Sequence, residues 1–108
     1  MNAMPVHLAA LTSLLASDAE AGQLHTQHLR LLALLCAASE PLSLGQVAAL
    51  AGVSAPTASR LIRRLVERRF VTRATDADNW RTVRLAPTQA GRDLDARVRA
   101  HVTTASAA

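Results

Sequence analysis

Apolar positions along the chain fall into helical stripes at both ends and through the middle, interrupted once by a short alternation. Leu8, Leu11 and Leu15 recur at three- and four-residue intervals after Pro5, and Gly22 ends the segment, which predicts a helix over 6–21. LHTQHLRLLALLCAAS predicts a second helix over 24–39, apolar nearly all round in its C-terminal half and therefore buried and central. Ser43 and Gln46 make a capping box for a third helix, with Val47, Ala48, Leu50 and Ala51 as its apolar face. Gly52 stands where that helix must end, because glycine takes the left-handed conformation at little cost. Ser54 caps a fourth helix over 55–68, with Pro56 in its first turn, where a missing N–H is harmless.

The pattern then changes. Phe70 to Arg73 reads as a strand, Ala74 to Trp80 as a polar tip, and Arg81 to Ala86 as a second strand. In the second strand Val83 and Leu85 point one way and Thr82 and Arg84 the other, and Pro87 breaks it. Thr88 opens a last helix over 88–103, on which Ala90, Leu94, Val98 and Val102 recur every four residues, and the tail TTASAA should fray. Leu42 adds a short extended lead-in before the third helix. The predicted fold class is mainly α with a small β-hairpin wing, a winged helix-turn-helix, in one domain over 1–108: helix 6–21, helix 24–39, helix-turn-helix 43–68, wing 70–86, helix 88–103.

The helix-turn-helix carries the functional signal. At about 100° per residue, Ala58, Leu61, Ile62 and Leu65 share a face of the second motif helix, Pro56, Arg60, Arg63 and Arg64 lie on the other side, and Thr57 and Ser59 are on the flanks. Such a helix can bury one side and offer guanidinium groups and hydroxyls to the DNA major groove. Arg60 and Arg63 are the candidate base contacts; Ser54, Thr57, Ser59, Arg64 and the wing residues Arg73, Arg81 and Arg84 are candidates for phosphates or the minor groove.

Charge sharpens this picture. The chain of 108 residues has a net charge of +4, and its 12 basic residues are all Arg. Eight of them (60, 63, 64, 68, 69, 73, 81, 84) lie within residues 60–84 against three acids (Glu67, Asp76, Asp78), a local balance of +5. The remainder, four Arg against five acids, balances at −1. A basic segment centred on one motif is the electrostatic footprint of a nucleic-acid surface. With 50% hydrophobic but only 2% aromatic residues, the core must be built of Leu, Ala and Val, and a domain this small gains from oligomerisation.

Other chemistry is weakly represented. Cys36 is the sole cysteine, so no intrachain disulfide forms, consistent with a reducing cytoplasm. Its apolar helix suits an inert core thiol better than a redox sensor. No apolar run is long enough to span a membrane, and VHLAALTSLLA lacks the positive flank of a secretory signal. His25 and His28 sit three apart, with His7 and His101 elsewhere, but zinc wants three or four converging ligands; surface and interface histidines are the simpler reading, and no metal or cofactor is expected. Asp93 and Asp95 point apart on a helix, and no nucleophile has a base, so no enzyme is expected. Trp80, beside Asn79 at the wing tip, is a candidate contact to DNA or to a protein.

Several segments together resemble the MarR-type transcriptional regulators: Leu29-Arg30-Leu31-Leu32, Pro41-Leu42-Ser43-Leu44, Gly52-Val53-Ser54, Thr57, Ser59-Arg60-Leu61, Arg64-Leu65, Arg81 with Val83, and Thr88-Gln89-Ala90-Gly91. The resemblance covers about residues 24–95. It implies a homodimer on a palindromic double-stranded operator, often a repressor, sometimes released by a small ligand. It also implies that Ser54, Ala55, Thr57, Ser59 and Arg60 lie near the groove and Arg81 at the wing's DNA contact. The family's effector position, between dimer helices and DNA-binding lobe, would here be lined by Leu8, Leu11, Leu15, His25 and His28. The chain departs from the family at the wing tip, where Asn79-Trp80-Arg81 replaces Asp-Lys/Arg-Arg, and at Pro87, where Leu is usual. It also stops near where the family's dimer helix continues, so a dimer through the first and last helices would have a shortened interface. These departures motivate a second reading, a winged-helix adaptor that docks a protein and binds DNA weakly or without sequence preference.

Overall fold

The computed structural model describes residues 24–75 and 82–107, the last six of these as helix backbone only. The predicted helix over 6–21, and with it Leu8, Leu11 and Leu15, lies outside the described residues, as do Asn79, Trp80 and Arg81.

Helix α1 spans Thr26–Ala37, shorter than the predicted 24–39. His25 is extended (φ −121°, ψ 177°) and caps it, and Ala38 is already extended (φ −72°, ψ 140°). Leu29, Leu31, Leu32 and Leu35 are buried, and α1 is the central element that the others pack against. Strand β1, Leu42–Ser43, is the lead-in segment. Helix α2 spans Leu44–Ala51, opened by the reciprocal Ser43–Gln46 box and closed by Gly52 in the left-handed conformation (φ 69°). Helix α3 spans Ala55–Glu67, with Ser54 as its cap. Strands β2 (Val71–Thr75) and β3 (Val83–Pro87) form the wing, and α4 runs over Gln89–Ala107.

Four differences from the sequence reading have physical causes. First, β1 pairs antiparallel with β3 (Leu42 with Leu85, Ser43 with Arg84), so the wing root is a three-stranded sheet of order β1-β3-β2. Second, Pro87 ends β3 opposite Val71 instead of breaking it. β1 covers only Arg84 and Leu85, so at Pro87 the strand has a neighbour on one side only, and a missing N–H is tolerated there. Third, Leu50 does not join the α2 apolar face: it is 61% exposed, while Val47, Ala48 and Ala51 are buried. Likewise Ala90 on α4 is exposed and Gly91 buried. Fourth, α4 continues to Ala107 where fraying was expected; no Gly or Pro interrupts the helix after Gly91.

The core joins Leu29, Leu31, Leu32 and Leu35 of α1 to Val47 and Ala51 of α2, to Leu61, Ile62 and Leu65 of α3, and to Phe70, Val71, Leu85, Leu94 and Val98. It fixes α3 against α1 and leaves the other side of α3 outward. The α3 exit is a Schellman-type turn: Phe70 N–H donates to Leu65 C=O (2.9 Å) and Arg69 N–H to Val66 C=O (2.9 Å). Arg69 holds the left-handed position (φ 65°) that usually goes to glycine. The same turn receives α4, since Thr88 N–H donates to Phe70 C=O (3.0 Å) and Thr88 Oγ1 to Arg69 C=O (2.7 Å).

Candidate nucleic-acid interface

The start of α3 is built from short polar side chains. Ser54 Oγ accepts from Thr57 N–H (3.3 Å) and lies 3.0 Å from Thr57 Oγ1, and Arg60 Nη2 donates to Thr57 Oγ1 (3.4 Å). Ser54, Thr57 and Arg60 are thus brought together in the first turns of the helix. Ala58, Leu61, Ile62 and Leu65 are buried, as their spacing predicts. Ala55, Pro56, Arg60 and Arg63 are exposed, and Arg64 is half-buried in the last turn, where a cation favours the helix dipole.

Ser59 is half-buried on the flank of α3. It lines a cleft of about 290 Å³ between α3 and the wing, with Leu44, Ile62, Arg73, Val83 and Leu85. Arg73 therefore faces α3, and Ser59 and Arg73 are brought to one cleft. Arg84 is elsewhere. Arg73 pairs with Leu85 and Arg84 with Ala74, so alternation sends the two Arg stems to opposite faces of the ribbon. Arg84 Nη1 donates to Gln46 Oε1 (3.3 Å), the same oxygen that accepts Ser43 N–H (2.9 Å). Gln46 thus joins the α2 cap to the wing. The sequence marks Gln46 as a capping residue but carries no signal of a partner 38 residues away.

The two described members of the expected effector lining, His25 and His28, sit at the start of α1 with their rings 4.0 Å apart. With Gln27, Thr57, Arg60 and Leu61 they line a cleft of about 350 Å³ between α1 and α3. His28 is 8% exposed, and so a buried group, not the surface histidine expected. Its pKa is pushed down to about 4, chiefly by burial, then by His25 and Arg64. Among the described residues, no three His, Cys, Asp or Glu side chains converge to hold a metal ion.

Cys36 is half-buried, and burial together with Asp95 pushes its thiol up to about 11, so it stays protonated at neutral pH. Asp95 is only 3% exposed and pairs with Arg99 (3.1 Å), while Asp93 turns outward to Gln89 (2.9 Å). The two carboxylates do point apart, although one is buried. Arg30, at a position with no assigned role, donates to the Ala51 carbonyl and to Gln27 Oε1 (3.2 Å), tying α1 to the end of α2. No described helix is long and apolar enough to cross a membrane.

A family model described as the MarR family matches residues 23–81. Among solved structures, the chain is similar to RV1404 from Mycobacterium tuberculosis (24% identity, TM-score 0.81, 96% of this chain and 66% of that one). It is also similar to CouR from Rhodococcus jostii RHA1 bound to p-coumaroyl-CoA (28% identity, TM-score 0.76, 92% and 66%). A third likeness is to S. aureus MepR in complex with DNA (22% identity, TM-score 0.73, 82% and 73%). The chain thus spans just under two thirds of the length of the first of these. Among curated proteins there is no significant match.

Proposed function

This chain belongs to the MarR family, and from that premise we propose that it is a transcriptional regulator that binds double-stranded DNA as a homodimer and represses from a palindromic operator. The observation that carries the reading is the outward face of α3. Arg60 and Arg63 are exposed there, opposite the buried Ala58, Leu61, Ile62 and Leu65, behind a start of helix capped by Ser54. In this reading Arg60 and Arg63 contact base edges, and Ser54, Ala55, Thr57 and Arg64 approach the backbone. Ser59 and Arg73 line the wing cleft beside the groove, and Arg81 and Arg84 extend the wing contact. The DNA-bound MepR relative supports the DNA partner. The CouR complex supports a small-molecule effector, for which His25 and His28 are the described part of the candidate lining.

The test is selection of genomic fragments by the purified protein at about 150 mM salt, followed by footprinting. A protected palindrome with half-sites about 34–36 Å apart supports the dimeric regulator. The second reading, a protein-docking adaptor, has the exposed apolar side chains Leu50 and Val83 in its favour. Its signature is steeply salt-dependent binding with no enriched sequence.

A further inference from the structure

Helix α2 is apolar all round, yet only one of its sides is covered. Its eight residues, Leu44–Ala51, include one polar side chain, Gln46, and no charge. A helix of that composition belongs in an interior. Val47, Ala48 and Ala51 do face the core, with Leu44 half-buried against it. Gly45, Gln46, Ala49 and Leu50 are exposed, Leu50 by 61%.

The uncovered side has nothing with which to hold a charged partner. Residues 41–59 contain no Asp, Glu, Arg or His, and the chain has no Lys. Gln46 Oε1 is already taken by Ser43 N–H (2.9 Å) and Arg84 Nη1 (3.3 Å). A DNA backbone is held by cations, hydroxyls and other donors, and the four exposed positions carry neither a cation nor a hydroxyl. The side is also presented rigidly. Arg30 donates to the Ala51 carbonyl at one end of α2, and the Gln46–Arg84 bond ties the other end to the wing.

Its relief matches itself. Leu50 projects beside small residues. A Cβ on Gly45 would meet only Ser43 Oγ, at 3.9 Å, and one on Gly52 would meet nothing within 4 Å. One face thus supplies both an apolar projection and the open room that lets a second helix come close. Charge selects the same occupant. Two copies that meet through residues 60–84 bring together two segments of net charge +5, whereas this side is neutral.

We propose that the outer side of α2 is a self-association surface, covered by the same side of a second copy across a two-fold axis, with each Leu50 buried against the other chain's α2. A face of eight helical residues is far smaller than the roughly 1,200–2,000 Å² of a stable interface. The contact is therefore weak in free solution, with a dissociation constant of about a millimolar. Copies held side by side reach effective concentrations of that order, so neighbouring molecules on DNA would bind cooperatively. The surface itself does not depend on the regulator reading.

The experiment follows the backbone amides of the full 15N-labelled chain by NMR, without DNA, from about 0.05 to about 1 mM. The amides of Gly45, Ala49, Leu50 and Gly52 should shift with concentration. Leu50→Arg should weaken the association about tenfold or more, because a buried leucine is lost and like charges are set face to face. Leu50→Gln adds no charge and should weaken it in the same direction, with Tm unchanged in both variants because the position is exposed. Unmoved α2 amides across the series would overturn the proposal. So would shifts that both variants leave intact, or α2 amides that respond to duplex DNA but not to concentration. A dimer through the last helix would shift amides of α4 and ignore Leu50, so its presence or absence is read separately, as is failure to find an operator.

Discussion

Replacing Gly91 with alanine should destabilise this protein, although the same change in most helices does the opposite. Gly91 lies in α4, where alanine normally gains about 0.5–1 kcal/mol over glycine. Here a Cβ would run into the Phe70 carbonyl oxygen, well inside contact, and lie 3.0 Å from the carbonyl carbon and 3.2 Å from Leu32 Cδ1. That carbonyl cannot swing aside freely, because it accepts Thr88 N–H at the start of α4. Either α4 lifts off the Phe70 turn or the turn shifts, at a cost of about 1–3 kcal/mol for overpacking. Gly45 supplies the control: it lies in α2 with a negative φ, and a Cβ there would have Ser43 Oγ, 3.9 Å away, as its nearest neighbour. Gly45→Ala should therefore stabilise by about 0.5–1 kcal/mol. Urea unfolding of the three proteins, with m-values compared, reads the difference directly. A Gly91→Ala protein as stable as the parent, or more so, would refute the close approach of α4 to Phe70.

Arg69 sits in the left-handed region at a cost of about 1–2 kcal/mol, and glycine there adds about 0.5–1 kcal/mol of unfolded-state entropy. Arg69→Gly should thus raise stability by roughly 0.5–1 kcal/mol, seen as a higher Tm; a lower Tm would contradict the observed φ of 65°. His28 has its pKa lowered on folding from 6.5 to about 4. Between those values the unfolded chain binds the extra proton, so stability should be full above about pH 6.5 and fall as pH drops toward 4. His28→Gln should flatten that slope in denaturation series across pH, and an unchanged slope would assign it to other groups. Arg60→Ala should cost about 1–3 kcal/mol in operator affinity and relax specificity at one base position; equal loss on all sequences would make Arg60 a phosphate contact instead.

The parts legible in the sequence are those governed by neighbours a few residues away. Ser43 with Gln46, Gly52, and Ser54 with Pro56 each act within one turn, and all three appear in the structure as read. The same local logic missed the His25 cap, because imidazole is not among the usual N-cap side chains. It missed Arg69 because the turn leaving α3 is held by α4 hydrogen bonds from Thr88, nearly twenty residues on. Leu50 is at the edge of the apolar arc of its helix, where spacing alone does not decide burial; Val47, Ala48 and Ala51 take the inside. The separation of Arg73 from Arg84 depends on the β2–β3 register, which a single strand's alternation does not set.

The arginines also separate by what they do. Charge counting treats the basic residues of 60–84 as one surface, but the structure divides them. Arg84 reaches Gln46 and so holds the wing to α2. Outside that segment, Arg30 ties α1 to the last carbonyl of α2. Both contacts fix the angle between elements on either side of α3, while Arg60 and Arg63 stay exposed on α3 itself. A basic surface in this fold is therefore more than a sum of charges. Arginines bonded to backbone and amide groups set the geometry, and those left outward are presented by it. Removing Arg30 or Arg84 should then alter how α3 and the wing are aligned, whereas removing Arg60 or Arg63 should alter only what the aligned face can bind.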